Sequence, residues 1–210
     1  MGKFDGKVAF VSGAGSGIGR AMALRLAEES AAVMCADINE QSAQSTAARV
    51  EELGSRSAAI GLDVSDSAAF SAALSGTVAQ LGRLDVLMNN AGVGGLNPWD
   101  TTIGVNLSGV YYGLQHACAL MAQNNGGAIV NTASVAGLNG LVRPEPYTDL
   151  PGALEGISGY VASKHGVIGL TRQFALAFGT QGVRVNAVCP GYIVTPMTEN
   201  ARNREGGQTF

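Results

Sequence analysis

The run Tyr160-Val161-Ala162-Ser163-Lys164 holds two residues whose types and spacing suit proton transfer. On a helix, positions four apart share a face. An ammonium beside a phenol favours the phenolate and lowers the phenol pKa from about 10 towards working pH. A phenol so placed can act as general acid or base on an alcohol or a carbonyl. The same spacing also describes an ordinary solvated Tyr–Lys pair on a helix surface, so its weight depends on the rest of the chain.

A second constellation supplies that weight. Ser12-Gly13-Ala14-Gly15-Ser16-Gly17-Ile18-Gly19 follows an apolar run at 8–11 and opens a helical pattern at 18–29. Glycines there permit a tight turn and close approach of a pyrophosphate, with the helix N-terminus donating amides. Gly13, Ser16, Gly17, Ile18 and Gly19 are the expected contacts. Their spacing, Gly13-x-x-x-Gly17-x-Gly19, departs from the general G-x-G-x-x-G fingerprint. The plainer alternative is a glycine-rich strand-to-helix turn without a ligand. Asp37 closes the next apolar run, 18 residues after Gly19. Its carboxylate can accept hydrogen bonds from an adenosine ribose and repel a 2′-phosphate. Ile38 and Asn39 offer no cation for such a phosphate, so NAD is favoured over NADP. A surface Asp opening a turn is the alternative.

These groups need a scaffold that brings them together, and the periodicity describes one. Apolar runs at 8–11, 32–36, 58–62, 84–88, 128–132 and 183–188 alternate with helical patterns at 18–29, 40–53, 65–81, 99–122 and 158–178. Ser65 is the expected N-cap of the third helix, and Gly54 and Gly82 are natural helix stops. Short continuous apolar strands separated by helices imply a parallel sheet buried on both faces. Right-handed crossovers then give a doubly wound, Rossmann-type α/β fold with six strands. Residues 1–197 read as one NAD-binding and catalytic domain, with 198–210 as a short C-terminal tail.

Composition narrows the classes further. Of 210 residues, 46% are hydrophobic and 14% charged, which suits a globular chain with a substantial core. A net charge of −3 without a basic block gives nucleic-acid binding no electrostatic support. Cys35, Cys118 and Cys189 lie far apart, with no metal-site spacing and no disulfide framework. They read as small core residues in a reducing compartment. No apolar run approaches about 18 residues, so no membrane span is expected. The first residues lack a signal-peptide core, and Gly6 breaks the myristoylation pattern that Gly2 would start. A cytoplasmic protein is the expectation.

With these motifs in order, the chain resembles the short-chain dehydrogenase/reductase family over about residues 5–197. Ser12 to Gly19 is similar to the family's T-G-x-x-x-G-I-G cofactor loop, with Ser12 in place of Thr. Asp63-Val64 resembles the pair whose Asp contacts the adenine. Asn89-Asn90-Ala91-Gly92 resembles the motif after the fourth strand that supports sheet and cofactor. Asn106, Ser134, Tyr160 and Lys164 match the catalytic set, and Pro190-Gly191 with Thr195 match the segment flanking the nicotinamide carboxamide. The resemblance implies a secondary alcohol or ketone as substrate, with Tyr160 as the base. Lys164 would hold Tyr160 ionised and bind the nicotinamide ribose, Ser134 would donate to the substrate oxygen, and Asn106 would hold a water relaying the proton. No metal is expected, and the helices at 99–122 and 158–178 are the family's usual homodimer face. A catalytically weak NAD-binding scaffold or redox sensor is the alternative.

Three stretches depart from the family's spacing. Asn106 follows Gly92 by only 14 positions, which shortens the segment at 93–98. Tyr160 follows Ser134 by 26, about twice the usual separation, and the extra residues fall within 141–159. Tyr147 stands 13 residues after Ser134, but Pro151 occupies the place of a lysine four beyond it. Tyr147 is therefore rejected as the base. The family usually has a further segment, helix and strand after the Pro-Gly motif; if the chain is complete, the substrate cover is short and the sheet has one strand fewer.

Overall fold

A computed structural model describes residues 2–141 and 151–199, apart from the side chains of 151–153. Six parallel strands form one sheet: β1 (Val8–Ser12), β2 (Ala32–Asp37), β3 (Ser57–Gly61), β4 (Val86–Asn89), β5 (Gly127–Thr132) and β6 (Val183–Val188). Their order is β3-β2-β1-β4-β5-β6. Val8 stands opposite Ala32, and Ala9 opposite Val86. The chain thus winds outwards one way from β1 through β2 and β3, and the other way from β4. The switch point lies between β1 and β4, where a doubly wound fold opens a crevice at the carboxyl ends of its strands.

Alternation along β1 divides the core between two faces. Phe10 joins Met34, Phe70, Leu74, Leu87, Leu114, Met121 and Ile129 on one side. Phe10 and Phe70 stack there with ring centroids 5.9 Å apart. Helices α3 (Ser67–Leu81), α5 (Gly109–Gln123) and α6 (Pro151–Phe178) contribute to that layer. Ala9, Val11, Val33 and Cys35 face the other way, against α1 (Gly17–Glu28) and α2 (Glu40–Glu52). β6 breaks the expectation of burial on both faces: Val183 and Val185 are buried, while Arg184, Asn186 and Val188 are exposed. Its helix contacts come from α5 and α6 on one side. Among the described residues no helix covers its other face.

The helix boundaries hold further departures. The expected helix at 99–122 divides into α4 (Trp99–Ile103), a π-helical turn over Gly104–Ser108, and α5. In that turn the Gly109 N–H donates to the Gly104 carbonyl, five residues back. Such bulges concentrate at functional positions. The helix expected at 158–178 starts at Pro151 instead; proline suits a first helical turn, where an amide has no partner to lose. Asp66, not Ser65, caps α3, accepting from Ala68 N and Ala69 N, while Ser65 turns to Asp63. Tyr147, Pro144 and Pro146 lie outside the described residues. Among the described residues no helix is long and apolar enough to cross a membrane.

Candidate active site

The turn after β1 is shaped by what it cannot hold. Gly13 has φ of +67°, and a Cβ there would lie 2.9 Å from Ala91 Cα. At Gly19 a Cβ would lie 2.0 Å from the Gly13 carbonyl oxygen and 2.6 Å from Asn90 Nδ2. Side chains at either position would push the loop away from β4. Ser12 ties the two strands instead: its hydroxyl oxygen accepts from Asn90 N and Ala91 N. Asn90 Nδ2 donates to Ser12 O, and Asn90 Oδ1 accepts from Thr132 Oγ1.

The N-terminus of α1 differs from its neighbours. Asn39 caps α2 through Ser42 N, and Asp66 caps α3 twice. Ser16, at the same place on α1, makes no side-chain capping bond, and the first turn has no acidic residue. Its amides and dipole are left facing the cleft, the arrangement that accommodates an anion. Asp37 lies beside this loop, accepting from Gly15 N at 2.8 Å and Asn39 N at 3.0 Å. Asp63 Oδ1 accepts from both Ser65 N and Ser65 Oγ.

A cleft of about 330 Å³ joins these parts at the switch point. Its walls include Gly13, Ser16, Gly17, Ile18 and Gly19 from the glycine turn, then Asp37, Asp63 and Val64. Asn90, Ala91, Gly92, Ser134, Tyr160, Lys164, Pro190, Gly191 and Thr195 complete the set expected from sequence. Asn106 alone among the expected residues is not on the wall. It is fully buried in the π-helical turn, with Oδ1 accepting from Val93 N at 2.7 Å and Nδ2 donating to Val93 O at 2.9 Å. One amide proton and one lone pair of Asn106 remain for another partner.

Lys164 is nearly fully buried, and its Nζ donates to Thr132 O at 2.8 Å. Nζ also stands 5.6 Å from the centre of the Tyr160 ring, within cation–π range. Among the described residues no direct hydrogen bond joins it to the Tyr160 hydroxyl. Burial pushes the Lys164 ammonium down to about 8, with Cys189 opposing the shift. Ser134 Oγ accepts from Ala136 N at 3.2 Å, capping a short 3₁₀ turn over Val135–Gly137. The hydroxyl proton makes no bond among the described residues. Ser134 therefore fills the turn-capping role and keeps a donor for a ligand.

Some supporting residues carried no signal in the sequence. Thr46 Oγ1, buried in α2, donates to Ala14 O and accepts from Arg20 Nε. Arg20 also donates to Gly15 O, so the two side chains brace the glycine turn from beneath. Thr132 serves both Lys164 and Asn90. Its place at the end of β5, two residues before Ser134, was the available clue. The histidines lie elsewhere: His116 pairs with Ser67, and His165 Nδ1 with Val161 O. Cys35 and Cys118 are buried, their thiols pushed up to about 12 by burial. Cys189 is only partly buried, unlike the core position expected of it. Among the described residues no group of three His, Cys, Asp or Glu could hold a metal ion.

The geometry has close counterparts. A family model described as Enoyl-(Acyl carrier protein) reductase matches residues 13–209. Cyclohexanol dehydrogenase from Acinetobacter sp. (strain SE19) is 40% identical over 204 residues, covering 93% of this chain and 76% of that protein. The crystal structure of levodione reductase superposes with a TM-score of 0.85 at 37% identity, covering 97% of this chain and 78% of that one. That of NAD+-bound xylitol dehydrogenase gives 0.81 at 35% identity, with 90% and 72% coverage. A switch-point cleft, the ordered series of motifs on its walls and likeness over nearly the whole chain agree: this chain belongs to the short-chain dehydrogenase/reductase family.

Proposed function

We propose that the chain interconverts a secondary alcohol and a ketone, using NAD and Tyr160 as general acid and base. The observation carrying this reading is that Tyr160, the buried Lys164 and the free Ser134 donor share one cleft with an uncapped helix N-terminus. The residues fit a dinucleotide: glycines leave room where a Cβ would intrude, and the α1 amides await an anion. Asp37, followed by uncharged Ile38 and Asn39, favours a free ribose 2′-hydroxyl over a 2′-phosphate. The NAD+-bound xylitol dehydrogenase among its structural relatives supports a nicotinamide cofactor.

The bound nicotinamide supplies the hydride acceptor, or the donor in reverse. Tyr160 takes the alcohol proton and returns it to the ketone oxygen. Ser134 donates a hydrogen bond to that oxygen and orients it. Lys164 places its ammonium 5.6 Å from the centre of the Tyr160 ring and holds the nicotinamide ribose. With its own pKa near 8, Lys164 can also pass a proton onward, through a water held by the spare valences of Asn106.

The test is NADH formation from a panel of secondary alcohols, with NADH binding followed by fluorescence. Turnover that Tyr160→Phe abolishes, with binding intact, supports the reading. Tight NADH binding without turnover on any alcohol or ketone would point instead to an NAD-binding scaffold. Turnover with NADP alone would overturn the role of Asp37.

A further inference from the structure

We propose that Glu155 and Gly156, in the first turns of α6, are positioning residues that hold the 93–98 segment and thereby set the substrate space opposite Tyr160. The inference rests on the catalytic reading above and adds a determinant of substrate fit to it.

The contacts run as a chain. Glu155 Oε1 accepts from Trp99 N at 3.0 Å, at the start of α4, where Pro98 supplies no side-chain cap. Gly156 is buried against backbone: a Cβ there would lie 2.4 Å from Gly95 O and 2.8 Å from Asn97 O. A Cβ on Gly95, by contrast, would meet Ile157 Cα at an ordinary 3.4 Å. On the segment's far side, a Cβ on Gly94 would lie 3.6 Å from Met197 Cγ. Met197 and Val93 both line the cleft. The segment is therefore held between α6 and a cleft-wall residue, and both backbone groups of Val93 are held by Asn106.

Rigidity makes this seam matter. Gly156 stands about one helical turn before Tyr160. A side chain at 156 cannot be absorbed by the helix, so the facing segment must yield. Its movement reaches Val93, which lines the same cleft as Tyr160, and Gly94, which packs near the cleft-wall Met197. The glycine turn, α1 and Asp37 belong to the β1–β2 half of the sheet and are not in this chain of contacts. The two stretches whose spacing departs from the family thus meet: the lengthened region before Tyr160 supplies the turns that flank the shortened one after Gly92.

The test compares Gly156→Ala, Gly95→Ala, Glu155→Ala and Glu155→Gln in the full chain. Gly156→Ala is expected to raise the KM for a secondary alcohol about tenfold, with NADH affinity nearly unchanged. Gly95→Ala should match the wild type. Glu155→Ala should move KM the same way by less, and Glu155→Gln should restore it, because an amide oxygen still accepts from Trp99 N. Amide hydrogen exchange gives a readout independent of turnover: residues 92–98 should exchange faster in Gly156→Ala and not in Gly95→Ala. Unchanged KM and exchange in Gly156→Ala would sink the proposal, as would equal losses of NADH affinity and substrate KM. If Gly156→Ala does not fold, the Glu155 pair decides, and failure of Gln to restore what Ala loses overturns it. If no alcohol turns over while NADH binds, the catalytic reading fails and the exchange comparison still decides the seam.

Discussion

At the amino ends of the strands, Asp85 sits just before β4 and is surrounded by partners. It accepts from Val8 N at 2.9 Å, Lys7 Nζ at 3.1 Å and Arg83 at 2.6 Å. At the carboxyl ends, Lys164 is buried with a carbonyl and an aromatic ring, and among the described residues it has no carboxylate. Burial works against the charge in both cases. For Asp85 the Val8 amide and the two cations outweigh burial and leave its pKa lowered. For Lys164 burial wins and the pKa falls to about 8. One end of the sheet closes its electrostatics internally and serves stability. The other leaves a cation, a helix N-terminus and a hydroxyl donor under-used, which is what a ligand site requires.

Substitutions at the two ends should therefore fail differently. The largest effect is expected from Tyr160→Phe at the carboxyl end: a loss of about 1,000-fold in kcat, with Tm and NADH affinity kept. Stopped-flow hydride transfer beside fluorescence titration would check it. Gly19→Ala comes next, because its Cβ meets the Gly13 carbonyl; NADH affinity should fall about 100-fold, from a clash of roughly 3 kcal/mol. Calorimetric titration measures this directly.

At the amino end, Asp85→Ala, which removes the acceptor, should lower stability by about 2 kcal/mol in urea denaturation while sparing turnover per folded molecule. Lys7 and Arg83 are about half exposed, so most of that loss comes from the Val8 amide and little from the ion pairs. Since the folded pKa of Asp85 is depressed, the wild type's advantage should be full above the ordinary 3.8 and shrink as pH falls. An advantage that grew on acidification would contradict the pairing. Asp37→Ser should weaken NADH about tenfold and admit NADPH, a smaller change read by paired KM measurements.

The smallest effect is a pH signature of Lys164. The unfolded chain keeps this proton up to about 10.5, whereas the folded chain releases it near 8. Unfolding between those values takes up a proton, so rising pH opposes it. Relative to Lys164→Met, the wild type should gain stability across that window. A Tm difference that stayed flat would remove the contrast drawn with Asp85.

Much of this was legible in local pattern. The apolar runs located all six strands, most plainly β1 and β2, which are covered on both faces and show no alternation. β6 was also visible as a strand, and the alternation of Val183 and Val185 with Arg184 and Asn186 already carried its half-exposure, which the expectation of cover on both faces passed over. The glycine turn announced itself because positive φ and close backbone approach select residue type directly. The motifs and the family resemblance named residues that, apart from Asn106, line one cleft. They did not name those residues' partners: Asn106 clasps Val93 across a π-helical turn, and Lys164 reaches Thr132, 32 residues away.

The sequence by itself determined the fold class and the residue types of the glycine turn, because helix and strand periods and glycine stereochemistry act over a few residues. Tertiary structure decided what each polar group is bonded to, where α6 begins, and that Gly156 packs on the 93–98 segment. Those outcomes depend on burial and on contacts between distant segments, which no local pattern carries.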